Sequence, residues 1–150
     1  MRIVLLTAIA AVFCGGAFAQ APPIKMGLWE KNMTTDNGDG SPAILKSKSC
    51  VTPAEWQEME KSFTKQREGC SIQTSKTAKG YTFNGTCNIG ETQLVINGST
   101  SIPDAEHIVS ESHSVSTRNG QKRQTVSKST SRWVSADCGK VKPGDPEIED

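Results

Sequence analysis

Residues 81–134 read YTFNGTCNIGETQLVINGSTSIPDAEHIVSESHSVSTRNGQKRQTVSKSTSRWV. In the first part, Tyr81, Phe83, Gly85, Cys87 and Ile89 alternate with Thr82, Asn84, Thr86 and Asn88. That period of two sends successive side chains to opposite faces of a strand. After a break at Gly90-Glu91, Leu94, Ile96 and Ile102 resume the same period. A third run covers Glu106 to Thr117, and Asn119-Gly120 joins it to a fourth. Both central residues of a type I′ turn need positive φ, which Asn-Gly tolerates best. The stretch therefore reads as an antiparallel meander, onto which the preceding residues pack and which the following residues tie off.

A two-residue turn also fixes the register of the last hairpin. Arg118 falls opposite Gln121, His113 opposite Val126, Glu111 opposite Lys128, Val109 opposite Thr130 and His107 opposite Arg132. Opposite charges directly across a ladder support this pairing by a few tenths of a kcal/mol. On the other face Ser110, Ser112, Ser114 and Ser116 look across at Ser129, Ser127, Thr125 and Arg123. This hydroxyl-lined surface is either solvent, the ordinary state of one face of an antiparallel sheet, or a polar binding face.

Upstream, Met26 to Thr35 forms a first strand on which Trp29 and Met33 share a face with Lys31, while Leu28 shares the other with Glu30. Neither face is clean. Asp36 to Ser41 is dense in Asn, Asp and Gly and turns the chain into a second strand, Ala43 to Val51. Thr52-Pro53-Ala54-Glu55 then combines an N-cap, a proline at the first helical position and a glutamate able to reach back to the cap amide. Trp56, Met59 and Phe63 follow at i, i+3 and i+7, one apolar stripe that must face the sheet. With Trp29, that stripe is either core packing or a ligand face. Gly69 ends the segment, Cys70 opens a strand from Ser71 to Thr77, and Lys79-Gly80 turns it into the meander. The predicted fold is mainly β, a curved antiparallel sheet or partly open barrel of about seven strands with one short α-helix packed on it.

Residues 1–19 carry Arg2, an apolar run from Ile3 to Phe13 and the small-x-small site Ala17-Phe18-Ala19, and so read as a signal peptide cleaved before Gln20. The run is too short to span a bilayer, and no span is expected in the mature form. Cys14 is preceded by Ala11-Val12-Phe13, unlike a lipidation site. The expected organisation is a leader at 20–25, a single disulfide-stapled domain at 26–139 and a disordered acidic tail at 140–150. The full chain has 17 Lys and Arg against 16 Asp and Glu, and cleavage removes Arg2 and no acid, leaving the two balanced. Such a balance argues against nucleic-acid binding, which needs a basic face to release counterions. Lys122, Arg123, Lys128 and Arg132 in one hairpin arm read as a solvated strand that discourages edge pairing rather than a docking patch.

Cys50, Cys70, Cys87 and Cys138 remain after cleavage, an even count that in an exported chain implies two disulfides. Four cysteines allow three pairings. The preferred reading pairs Cys50 with Cys70, closing the helical excursion, and Cys87 with Cys138, fastening the last strand. Such staples are needed, because Leu, Ile, Val and Phe make up only about 15% of residues 20–150. Nothing in the sequence is adequate for catalysis. His107 and His113 lie six residues apart on one strand face, roughly 20 Å, and neither stands in a metal or nucleophile motif. No serine stands in Gly-x-Ser-x-Gly, and no glycine loop cradles phosphate. The expectation is a non-enzymatic protein without cofactor or metal.

Gly27-Leu28-Trp29-Glu30, Cys50-Val51-Thr52-Pro53, Cys70 and Cys87 around a strand pair, and Trp133 through Asp137-Cys138-Gly139 together resemble a bacterial exported family catalogued as a domain of unknown function, number 3617. The resemblance covers residues 26 to about 139 and implies a small periplasmic protein of Gram-negative bacteria with no assigned activity. Members with this pattern often carry methionine-rich loops after the first strand, where this chain has Asp36-Asn37-Gly38-Asp39-Gly40. Two functions are expected in turn. One is a periplasmic binding or envelope-interaction module for a small apolar or amphipathic ligand, with Trp29, Trp56, Met59 and Phe63 as the ligand face. The other is a structural or stress-related envelope protein with no small-molecule site, working through its hydroxyl-rich sheet face or edge strands.

Overall fold

The computed structural model of the protein describes residues 23–65 and 67–149, apart from the side chains of Phe63 and Thr64. The signal-peptide reading of 1–19 and residues 20–22 of the 20–25 leader lie outside the described residues. Eight strands, β1 (Gly27–Asp36), β2 (Ala43–Val51), β3 (Cys70–Thr77), β4 (Gly80–Ile89), β5 (Thr92–Asp104), β6 (His107–Arg118), β7 (Gln121–Ser135) and β8 (Glu147–Glu149), and one helix, α1 (Pro53–Thr64), make up the domain. The sheet order is β3-β4-β5-β6-β7-β1-β2-β8, and its pairings are antiparallel. Its two edges, β3 and β8, do not pair, so the sheet is open and not a closed barrel.

The meander is as the sequence alternation requires. Gly90 at φ +58° turns β4 into β5, and Asn119 and Gly120, at φ 50° and 77°, turn β6 into β7. Every cross-strand pair expected for the last hairpin is present, from Arg118 opposite Gln121 to His107 opposite Arg132. The register places Trp29 of β1 opposite Trp133 of β7, and Lys31 opposite Ser131. One sheet face, here called inner, thus carries Trp29, Lys31, Met33, Tyr81, Phe83 and the β6 serines. Midway along β5, Gly98 opens space on that face: a Cβ there would lie 2.5 Å from the Phe83 ring and 2.5 Å from the Glu111 carbonyl oxygen.

Helix α1 starts where the Thr52-Pro53 signal puts it. The Thr52 hydroxyl accepts the Glu55 backbone N–H at 3.2 Å, with Pro53 in the first turn. Crossing the inner face from β2 to β3, the helix seats Trp56 in a cluster with Ile24, Trp29 and Ile102, all of them buried, while Met59, Tyr81, Ile108 and Trp133 pack around it. Ile24 belongs to the core and not to a leader. Its segment is fixed by two indoles, Trp29 donating to the Lys25 carbonyl at 2.9 Å and Trp133 to the Met26 carbonyl at 3.0 Å.

Two further expectations need correction. The disulfides join Cys50 to Cys138 and Cys70 to Cys87, not Cys50 to Cys70 and Cys87 to Cys138. Cys70 and Cys87 are direct cross-strand partners on β3 and β4, so the hairpin itself brings them together. The sheet order explains the other bond. β1 lies between β7 and β2, which delivers the chain after β7 to the end of β2. The segment 140–150, expected to be a disordered acidic tail, is ordered through 149: Val141 is buried, and Glu147–Glu149 pairs along Lys46–Lys48 of β2. Its acids meet basic residues on that edge, with Lys48 Nζ 2.6 Å from the Glu149 carboxylate.

Gly98→Ala is expected to destabilise the fold by about 1–3 kcal/mol, because backbone lies against the new methyl on one side and a ring on the other; denaturant midpoints check this. The disulfides differ in sequence separation, 88 residues for Cys50–Cys138 and 17 for Cys70–Cys87. In the chain-entropy account the longer loop contributes about 1.5 kcal/mol more. Paired serine replacement of Cys50 and Cys138 should therefore lower the unfolding midpoint further than that of Cys70 and Cys87, and non-reducing peptide maps should recover both cross-links.

Candidate functional site

The single helix covers one end of the inner face, and the side chains beneath it do not fill the space. Trp29, Trp56, Met59, Tyr81, Ile102 and Ile108 bound a half-open cavity of about 250 Å³. Its apolar wall lies under the helix. Toward the uncovered part of the sheet the lining changes to Ser49, Thr100, Ser110, Ser129, Ser131 and Lys31. A second hollow of about 220 Å³ continues from there, sharing Lys31, Thr100, Ser110 and Ser129 and adding Met33, Phe83, Ser112 and Ser127. The two form one groove, apolar at the helix end and hydroxyl-lined at the other.

Strand alternation builds this gradient. Trp29, Lys31 and Met33 are successive inner-face positions of β1, and Trp133, Ser131 and Ser129 stand opposite them on β7. Tyr81, Thr100, Ser110 and Ser129 form one cross-strand row from β4 to β7. Within that row Thr100 and Ser110 share a hydroxyl hydrogen bond of 3.0 Å. At the helix side the Tyr81 hydroxyl donates to the Glu60 carboxylate at 2.9 Å. Burial, followed by that bond and the nearby negative charge, raises the Tyr81 pKa above its ordinary value of 10.0.

The chain belongs to the family described as protein of unknown function (DUF3617). Its profile matches residues 24–138, starting at the buried Ile24 and ending at the disulfide-bonded Cys138. Comparison with curated proteins finds no match. Among solved structures, the S-type phycobiliprotein lyase CPES from Guillardia theta is similar at 12% identity and a TM-score of 0.39, over 73% of this chain and 89% of that one.

Of the residues expected to form a ligand face, Trp29, Trp56 and Met59 do meet at the cavity of this DUF3617 protein, whereas the Phe63 side chain lies outside the described residues. Both indoles are almost wholly buried, at 2% and 3% exposed, so they act as cavity wall and core together. His107 and His113 lie on the outer face, away from the groove. His107 Nδ1 is 2.8 Å from the Asp104 carboxylate, and His113 Nε2 is 2.9 Å from that of Glu111. Asp104 is held below the usual carboxylate range first by the Glu106 amide and then by His107; Glu111 is held down first by His113 and then by Lys128. Among the described residues, no three His, Cys, Asp or Glu side chains converge as a metal site, and no helix is long and apolar enough to cross a membrane.

The residues missed in the sequence were Lys31, Tyr81 and Thr100, whereas the hydroxyls of β6 and β7 were expected as either a solvent face or a polar binding face. Their signal was present in the mixed face of β1, where Lys31 interrupts Trp29 and Met33, and in the serine row that shares a face with Tyr81.

Tyr81 is the sole tyrosine of the chain, so an absorbance titration near 295 nm reports it alone. Its midpoint should lie above 10.0 in the folded protein and fall partway back in Glu60→Gln, since burial, the larger cause, remains. A folded-state pKa raised in this way stabilises the fold fully below the unfolded value. That contribution is lost as pH rises through the folded value.

Proposed function

We infer that this is a small, non-catalytic binding module of the bacterial envelope, whose helix-covered groove takes a small apolar or amphipathic ligand. The observation that carries this reading is the cavity itself. In a protein so short of large apolar side chains, about 250 Å³ bounded by Trp29, Trp56, Met59, Tyr81, Ile102 and Ile108 stands open beside the core. Packing free energy alone would favour collapse of such a space. Apolar walls with a few convergent polar groups are the ordinary make-up of a small-molecule pocket.

The two disulfides suit an oxidising compartment, and with the signal-like residues 1–19 they support export to the periplasm with cleavage after Ala19. The outer-face placement of both histidines, each engaged by a carboxylate, supports the non-catalytic reading. A second reading is a structural or stress-related envelope protein working through protein partners, with no small-molecule site. It is favoured by the near-complete burial of Trp29 and Trp56, which behave as core residues.

Native mass spectrometry on protein purified under mild conditions separates the two. The binding module should carry a reproducible extra mass, or acquire one from short-chain lipids added to the sample, and the mass narrows the ligand class. If only the bare polypeptide appears in both samples, the binding reading fails and the structural one stands.

A further inference from the structure

Charge is segregated between the two faces of this sheet. The acids of the described strands, Glu30, Asp36, Asp104, Glu111, Glu147 and Glu149, all fall on the outer face by strand alternation and register. Several pair there with outer-face bases: Glu30 with Lys48 and Arg132, Glu149 with Lys48, and Glu111 with Lys128 and His113. The inner-face positions carry cations only, Lys31, Lys76, Arg118 and Arg123.

Three of those four have an evident partner or lie far from the groove. Arg123 is 4.0 Å from Asp39, Lys76 sits over the Tyr81 ring at 6.0 Å, and Arg118 borders the Asn119-Gly120 turn. The helix acid nearest this side, Glu60, is taken by the Tyr81 hydroxyl. Glu111 and Lys128 also border the hydroxyl-lined hollow, but their side chains meet at 3.6 Å on the outer face. Lys31 is different. It borders both hollows, at the point where apolar wall gives way to hydroxyls, and has no ion-pair partner among the described residues.

We propose that Lys31 is the headgroup site of the groove, and that the ligand is a single-tailed amphiphile with a monoanionic, fatty-acid-like head. This rests on the binding reading and adds the ligand's charge and orientation to it. The tail lies in the apolar cavity under Trp56 and Met59, whose volume of about 250 Å³ holds on the order of eight water-sized groups. The head lies among Ser110, Ser129 and Ser131, with Lys31 above it. One uncompensated cation matches one negative charge, and hydroxyls supply the remaining donors for two carboxylate oxygens.

The test is calorimetric titration of the oxidised protein, below micellar concentrations, with decanoate, decanol and decyltrimethylammonium, which share a tail and differ in head charge. Decanoate should bind about tenfold more tightly than decanol, the worth of a charge-assisted contact, with the cationic probe weakest. Lys31→Met should close the gap between decanoate and decanol while leaving decanol unchanged, Lys31→Arg should keep it, and Lys122→Met on the outer face should not alter it. In the unmodified protein the gap should narrow as salt screens the charge. Equal affinity for decanoate and decanol, or a gap that survives in Lys31→Met or is indifferent to salt, overturns the headgroup assignment while leaving the cavity as an apolar site. If none of the three probes binds, the binding reading itself falls and this inference falls with it.

Discussion

One helix is available to cover eight strands, and it is only twelve residues long. A helix rises 1.5 Å per residue, so α1 reaches about 18 Å across an inner face whose longest strands are more than twice that length. The sheet can therefore be dry at one end alone. That end holds Ile24, Trp29, Trp56 and Ile102 in its buried cluster, and the two indole N–H groups tie the incoming chain down over it. Beyond the helix the same face has to be tolerable to water. Serine and threonine on β6 and β7 make it so along those strands, since their inner-face positions are hydroxylated while the backbone ladder continues unbroken.

The limited core shifts stability onto covalent bonds. Cys50–Cys138 pins the end of β2 to the segment after β7, and Cys70–Cys87 pins the edge strand β3 to β4. In the chain-entropy account the two together contribute about 7–8 kcal/mol. A dry void of about 250 Å³ would cost at most about 6 kcal/mol. The staples thus offset the largest cost the unfilled groove could impose, and they do so from positions outside its lining. The protein can keep an opening that its side chains are too few to fill.

Much of the fold was legible because period and turn chemistry are local. The alternation from Tyr81, the Asn119-Gly120 turn and the Thr52-Pro53 cap each specify their own geometry within a few residues, and the last hairpin follows to the residue pair. What was not legible depended on strand order. The cysteine pairing changes once β1 is known to insert between β7 and β2, and no local pattern announces that insertion. Ile24 and β8 were missed for the same reason: a single isoleucine after two prolines, and a lone Ile148 among acids, look like leader and tail until the partner strands supply a floor and a set of lysines. At the site, Trp29, Trp56 and Met59 were legible as a candidate set because helix and strand periods each put them inward. Lys31 was visible only as a blemish on β1.

That blemish has a physical reading once both faces are compared. A lysine on the helix-covered face of a sheet is usually accommodated by extending its stem to water or by an acid across the ladder. The outer face follows the second course at Glu30, Glu111 and Glu149, and the inner face has no strand acid to offer. Lys31, solvent-exposed, therefore stands at the border between apolar wall and hydroxyl floor with no strand acid on its own face to pair with. The same arrangement that leaves the cation uncompensated in the free protein makes a negative group arriving at that border the one partner that improves its position. A neutral or cationic group in that place would gain nothing from Lys31, which gives the groove a preference in charge that its apolar walls alone could not supply.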